Sequence, residues 1–211
     1  MTASVKRAAP VTSVATGPGV GVQLQGGPHA GRVVMPFNQG PPNDWRVYAA
    51  YSDDGGDTWR MGDTAPEDGA GHANEVQMAE CSDGSLLLVA RQFGGGGRRK
   101  CARSIDGGAT WTQLAAVPDL PDPSCMGGLV NVQRAPGAML ACTGPADERR
   151  RRQGRAWLST DGGRTWPTSV PVPLGDGRLG VLFERDGYAR ISWVIVDCAA
   201  AATAREDSSQ R

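Results

Sequence analysis

No stretch of this sequence is apolar enough, for long enough, to approach a membrane span. Charge of one sign is also missing: 22 Lys and Arg stand against 22 Asp and Glu. A balanced chain has no global attraction for nucleic acid or for an anionic surface, so neither is expected as a partner. Only two histidines are present, His29 and His72, and neither joins a cysteine cluster. The five cysteines, Cys81, Cys101, Cys125, Cys142 and Cys198, show no C-x-x-C spacing, so the sequence carries no zinc signature and no cofactor is expected. Their odd number argues against a complete disulfide framework and for buried free thiols. The first ten residues hold Lys6 and Arg7 but no apolar core of a leader, so no signal peptide is read and the compartment is left open. No amphipathic helix of useful length is found.

Glycine and proline, by contrast, are plentiful, with 30 and 15 residues, while hydrophobic residues make up 39%. That balance suits many short strands joined by tight turns. The organising feature is a repeat, S-x-D-G-G-x-T-W, found at Ser52 to Trp59, Ser104 to Trp111 and Ser159 to Trp166, with starts 52 and 55 residues apart. A period of this length signals one supersecondary unit per copy. Asp54, Asp106 and Asp161 are short acceptors suited to backbone N–H groups in a turn. The paired glycines supply positive φ, and each Trp is an apolar anchor. Each copy therefore reads as a structural turn between two strands.

A second landmark recurs 20 to 22 residues ahead of each copy, where Gly31, Gly84 and Gly137 open apolar runs: Arg32 to Pro36, Ser85 to Arg91 and Ala138 to Cys142. Asp176-Gly177 opens a further run, Arg178 to Glu184, followed by Ala189 to Asp197. The spacing predicts an all-β chain of antiparallel strands over 15–198 and a disordered tail over 199–211. The glycine interval shrinks from 53 residues, seen twice, to 40 between Gly137 and Gly177, so one unit is short after its Trp166. Gly94 to Gly97 is a glycine run without a following G-K-[ST], which reads as a hairpin loop rather than a phosphate cradle. Arg98, Arg99 and Lys100 read as a small solvated basic cluster.

These repeats, and the segments between them in order, resemble the exo-α-sialidase (neuraminidase) family with its Asp boxes, or BNR repeats. Gly17 to Leu24 is similar to that family's G-P-G-x-G-I-Q-L strand, Asn74-Glu75-Val76-Gln77 to its N-E-x-Q segment, Val89-Ala90-Arg91 to a strand ending in N-x-R, and Asp122 to Cys125 to D-P-x-C. The resemblance implies a six-bladed β-propeller, of which this chain would hold about four blades, each a four-stranded antiparallel sheet. It also implies release of terminal sialic acid from a sialylated glycan, glycoprotein or glycolipid, in carbohydrate metabolism.

Sialidases clamp the sialic acid carboxylate with three arginines, attack with a tyrosine, and use a glutamate and an aspartate to move protons; they stand outside the two-carboxylate rule of glycosidases. By position Glu75 matches the glutamate and Arg91 the second arginine. A lone Glu at a strand start is ordinarily a solvated charge, but Glu75 follows Asn74 and precedes Arg91. The third arginine falls within Arg149 to Arg152, where Arg151 fits best and Arg152 is the alternative; the remaining arginines of that run read as a solvated loop. Three elements of the family's set find no match. The first arginine and the acid/base aspartate would lie upstream of Met1. The tyrosine would fall between Pro167 and Asp176, where there is none, and the chain's tyrosines are Tyr48, Tyr51 and Tyr188. Two readings follow: a sialidase-type hydrolase whose chain, as written, is short of its nucleophile, or a non-catalytic Asp-box propeller that binds a glycan or a protein.

Overall fold

Leu86 to Ala90 is apolar at every position, the pattern of a strand buried on both faces rather than one. The computed structural model describes residues 2–7, 11–132, 139–170, 178–186 and 189–197, and places that run at the centre of the molecule. All the sheets are antiparallel. The first contains β1 (Ser13–Thr16), β2 (Val22–Gln23), β3 (Val33–Gly40), β4 (Arg46–Ser52) and β5 (Arg60–Met61), with β1 and β2 both pairing with β3. The second is the meander β6 (His72–Glu80), β7 (Leu86–Phe93), β8 (Arg98–Ser104) and β9 (Ala115–Pro121). The third repeats it as β10 (Gly128–Asn131), β11 (Leu140–Pro145), β12 (Gly154–Ser159) and β13 (Thr168–Val170). A hairpin, β14 (Arg178–Arg185) with β15 (Arg190–Asp197), follows. The expected all-β class holds, and the runs opened by Gly31, Gly84 and Asp176-Gly177 lead into β3, β7 and β14. Gly137, Asp176, Gly177 and the tail over 199–211 lie outside the described residues.

The sheets pack in series. Leu86, Leu88 and Ala90 of β7 join Val34, Val47 and Ala49 of the first sheet in one core. Leu87 and Val89 face the other way and join Leu140, Cys142, Trp157 and Trp166 of the third sheet in a second core. The alternation of one strand thus holds three sheets together. The outer face of the first sheet is covered by the chain's own start: Val5, from the one-turn helix α1 (Thr2–Val5), packs on Phe37, Tyr48 and Ala50. The Tyr48 hydroxyl donates to the Val5 carbonyl at 2.5 Å, and Arg7 lies over the Tyr48 ring. Among the described residues nothing covers the β14–β15 hairpin in this way, and Leu182, Ile191 and Trp193 stand exposed.

Each Asp box sits between the last two strands of its sheet and closes the same ring of hydrogen bonds. The serine hydroxyl donates to the aspartate at 2.7 Å in all three and accepts the amide of Gly56, Gly108 or Gly163 at 2.7–2.8 Å. The aspartate accepts both the amide and the hydroxyl of Thr58, Thr110 or Thr165. The second and third boxes also clamp one sheet to the next. A Cβ on Gly108 (φ +92°) would lie 3.1 Å from the Ala49 Cβ, and one on Gly163 (φ +82°) 2.4 Å from Leu87 Cδ2. Arg32 donates to the Asp106 and Gly107 carbonyls, and Arg103 to that of Gly162. The box tryptophans follow suit: Trp111 and Trp166 are buried, while Trp59 is only half-buried.

These hydrogen bonds set the acid behaviour of the fold. Burial raises the Asp161 carboxyl, but the Thr165 amide and hydroxyl and the Ser159 hydroxyl outweigh it and hold the group down at about 2. Donors from Thr58 and Ser52 hold Asp54 well below the usual carboxylate range, and Asp106 is lowered against its burial by Thr110 and Ser104. A depressed folded pKa contributes stability that is complete above the unfolded value of about 4 and lost as pH falls through the folded one. Unfolding free energy, measured by urea titration, is expected to fall between about pH 5 and pH 2. Asp161→Ala is expected to cost about 1–3 kcal/mol near neutral pH through lost hydrogen bonds and to reduce that acid slope. An unchanged slope in the variant would remove Asp161 from the account.

Candidate active site

The site grows from an irregularity in β6. Its pairing with β7 shifts register between Ala73 and Val76, so Asn74 and Glu75 together oppose the single residue Arg91. Such a bulge bends the strand and re-aims the extra side chain. Glu75 is turned onto Arg91, and its Oε2 lies 2.7 Å from Arg91 Nη1. Asn74 is held from the first sheet, its Oδ1 accepting from Asn38 Nδ2 at 2.7 Å. The ion pair is partly open, with side-chain exposures of 20% for Arg91 and 27% for Glu75.

The rest of the Arg91 fork points at the turn after β9. Nε and Nη2 each donate to Ser124 Oγ at 3.2 Å. That turn is pinned by the buried Asp122, which accepts the Gln92 amide at 2.6 Å and the Cys125 amide at 2.8 Å. Ser124 takes φ +55°, a conformation sparsely populated by residues with a side chain and sustained here by its surroundings. On its other side the Ser124 carbonyl accepts Arg151 Nη2 at 2.9 Å. Ser124 therefore gathers two guanidinium groups from two different sheets. Arg152 turns away to Asp147, Nε to Oδ2 at 2.5 Å, and the same aspartate takes the amides of Arg149 and Arg150. Burial, helped by Asp122, pushes the Cys125 thiol up, while Arg151, Arg99 and Arg91 pull against it. Glu75, Arg91 and Arg151 are thus brought together, and Arg152 is not.

The Arg98–Lys100 triplet departs from the solvated cluster expected of it. Arg98 pairs with Glu148 at 2.5 Å. Arg99 is 2% exposed, its guanidinium lying against the backbone of Gly127 and Gly144, where a Cβ would approach within 2.5–2.6 Å. Lys100 is fully buried and its Nζ meets Glu67 Oε2 at 2.8 Å, Asp68 Oδ1 at 2.7 Å and the Gly71 carbonyl at 3.2 Å. The physical reason is position: β8 is an inner strand of a sheet that is itself sandwiched, so its residues go inward on both faces. The loop that Lys100 grips runs straight into β6, and Glu67 Oε1 accepts the Ala73 amide at the edge of the bulge.

Two guanidinium groups thus meet at Ser124 beside a carboxylate, on serially packed Asp-box sheets. A profile of the BNR repeat-like domain matches residues 4–178. The sialidase of Micromonospora viridifaciens is 33% identical over 204 residues, which cover 86% of this chain and 31% of that one. The chain belongs to the sialidase family. Among solved structures, the Hadza microbial sialidase Hz136 matches 95% of this chain and 40% of its own, at 26% identity and a TM-score of 0.75. The intramolecular trans-sialidase of Ruminococcus gnavus, solved in complex with oseltamivir carboxylate, matches 84% of this chain and 38% of its own, at 25% identity and a TM-score of 0.63. The chain spans about a third or less of the length of the curated relatives it matches, 31% for the Micromonospora sialidase and 26% for the anhydrosialidase of Macrobdella decora.

Sequence reasoning found the three residues that meet but gave no role to three supports around them. Asn38 steadies Asn74, Asp122 pins the serine turn, and Lys100 grips the loop ahead of the bulge. Of these only Asp122 carried a local signal, an Asp-Pro pair that initiates a turn.

Proposed function

We propose that this chain supplies the carboxylate-recognition part of a sialidase site, with Arg91 and Arg151 holding the carboxylate of a terminal sialic acid and Glu75 beside them as the proton-accepting group. The observation that carries the reading is the convergence of both guanidinium groups on Ser124 with Glu75 at 2.7 Å from Arg91. Guanidinium forks match a planar carboxylate with two parallel hydrogen bonds, and an incoming carboxylate would take the place of the Ser124 hydroxyl on the Arg91 fork. Relatives point the same way: the Ruminococcus protein was solved with oseltamivir carboxylate, and the leech enzyme, 26% identical, with 2,7-anhydro-Neu5Ac. The four sheets are read as successive blades of a six-bladed propeller, with the propeller unit over 15–198.

Release of sialic acid by the whole protein, from a glycan, glycoprotein or glycolipid, belongs to the same proposal. Hydrolysis by these 211 residues alone is expected to be slow or absent. The two described tyrosines serve packing: Tyr48 is sealed under Val5 with its hydroxyl pushed up to about 12 by burial, and Tyr51 lies under the Arg32 guanidinium at 4.2 Å. Tyr188 lies outside the described residues. Lost acid/base assistance alone is worth about 10²–10⁴-fold. The chain should be titrated with free sialic acid and assayed on a fluorogenic sialoside. Saturable, weak binding with little turnover is the expected result. Robust turnover abolished by Glu75→Ala would show that another group replaces the tyrosine, and a folded sample that neither binds nor reacts would favour a non-catalytic scaffold.

A further inference from the structure

Among the described residues three cationic side chains are buried, Arg32, Arg99 and Lys100. Two of them are balanced: Arg32 pairs with Asp53, and Lys100 with Glu67 and Asp68. Arg99 is not. It is 2% exposed, no ion pair reaches it among the described residues, and its Nε and Nη2 are buried without an acceptor. Asp122, buried at the turn after β9, gives its oxygens to the Gln92 and Cys125 amides instead.

The backbone makes room for this guanidinium. β8 shifts register against β9 between Arg98 and Lys100, at Arg99 itself. A Cβ on Gly127 would lie 2.6 Å from Arg99 Cζ, and one on Gly144 2.5 Å from Nη2, so two glycines from the third sheet and its approach admit the group. Gly127 follows Ser124 by three residues, so Arg99 lies against the chain that leaves the turn gathering Arg91 and Arg151. Resting on the reading of that turn as a carboxylate site, we propose that Arg99 is its buried third cation, which acts through space, without touching the ligand, to strengthen the hold on a carboxylate.

Three observations support this. The first is the cost of the arrangement. A charge held out of water without a partner is unfavourable, and an apolar side chain of similar reach would pack there at lower cost. Such costs are found where function opposes stability. The second is balance. Glu75 offsets the charge of Arg91 before any ligand arrives, whereas the charge of Arg99 has no acid on it. The third is reach. Burial raises the Cys125 thiol, next in the chain to Ser124, and Arg99 opposes that rise more strongly than Arg91 does. A unit charge about 10 Å away, across an effective dielectric of about 20, changes the affinity for an anion by about an order of magnitude.

Cys125 also supplies a probe of this field that does not depend on sialic acid. Iodoacetate and iodoacetamide alkylate the same thiolate with loss of iodide, and only the first carries a carboxylate. The ratio of their rates at Cys125, read by peptide mass spectrometry on the full chain, therefore measures the local pull on a carboxylate. That ratio is expected to fall about tenfold in Arg99→Met and to be kept in Arg99→Lys. Affinity for free sialic acid, measured by calorimetric titration, should follow: about tenfold weaker in Arg99→Met, with most of it recovered in Arg99→Lys. Arg99→Met should melt at or above the temperature of the parent, because a thioether replaces an unpaired cation. Affinity and stability then move in opposite directions, which a purely structural residue would not produce. A ratio unchanged in Arg99→Met overturns the inference whether or not sialic acid binds, and so does an unchanged sialic acid affinity where the parent binds. Arg99→Lys behaving like Arg99→Met also overturns it, since charge would not be the cause. An Arg99→Met chain that fails to fold, or melts well below the parent, makes Arg99 a structural anchor and overturns it too. A ratio that falls as expected in a chain that does not bind sialic acid keeps the buried cation and removes the sialic acid reading alone.

Discussion

A Lys100→Met chain is expected to lose about 3–5 kcal/mol of stability, the cost typical of removing one member of a buried ionic set. Lys100 is fully buried, and its two partners, Glu67 and Asp68, are exposed by only 12% and 23%. Without the ammonium, two adjacent carboxylates face each other with little water to screen them. Burial already pushes the Asp68 carboxyl up, and it stays below its ordinary value because Lys100 and the Ala70 amide hold it there. Since most of the penalty comes from orphaned charge, adding Glu67→Gln and Asp68→Asn to Lys100→Met should recover most of the loss. Chemical denaturation followed by far-ultraviolet circular dichroism measures both. Against a typical total of about 5–15 kcal/mol, the single variant should move the midpoint visibly. A midpoint equal to that of the parent would mean that the triad contributes nothing.

The second large effect is on ligand affinity. Arg91→Ala is expected to weaken sialic acid binding by about 10–100-fold, because charged hydrogen bonds are worth about 1.5–3 kcal/mol and each factor of ten is about 1.4 kcal/mol. Arg91→Lys should rescue only part of this, since an ammonium cannot present two parallel donors. Stability should barely change, because the Arg91–Glu75 pair is partly exposed and such pairs contribute about 0–1 kcal/mol. Arg151→Ala should follow Arg91→Ala in the same titration, whereas Arg152→Ala, already committed to Asp147, should bind like the parent. A loss confined to Arg152→Ala would exchange the two assignments.

The difference between Arg151 and Arg152 shows where the sequence stops being legible. Four consecutive arginines present the same chemistry, and register counting separates them by one position only. The selection is made by the turn, in which Asp147 captures the Arg149 and Arg150 amides and the Arg152 side chain. The boxes were readable because the hydrogen bonds that close each ring run between residues at most four apart, so spacing alone encodes them. Strands β3, β7 and β14 were readable from glycine-opened apolar runs. Lys100 was not, because its burial follows from the sheets packed on either side of β8 and from a loop some thirty residues away, and a triplet of basic residues looks the same in water. The bulge at Glu75 was equally hidden, since Asn74 and Glu75 fit a regular strand as well as a bulged one.

Because β7 gives Leu86, Leu88 and Ala90 to one core and Leu87 and Val89 to the other, it makes the three sheets a single cooperative block. In a stack of this kind each sheet touches only its neighbours, so cooperativity is carried from one interface to the next. The two interfaces share no side chains, only a backbone. Truncating Leu88 should loosen the first sheet from the second, and truncating Leu87 the third, though the two are neighbours in sequence and differ only in the face of β7 they occupy. Partial unfolding is therefore expected to start from either end, with β7 the last strand to open.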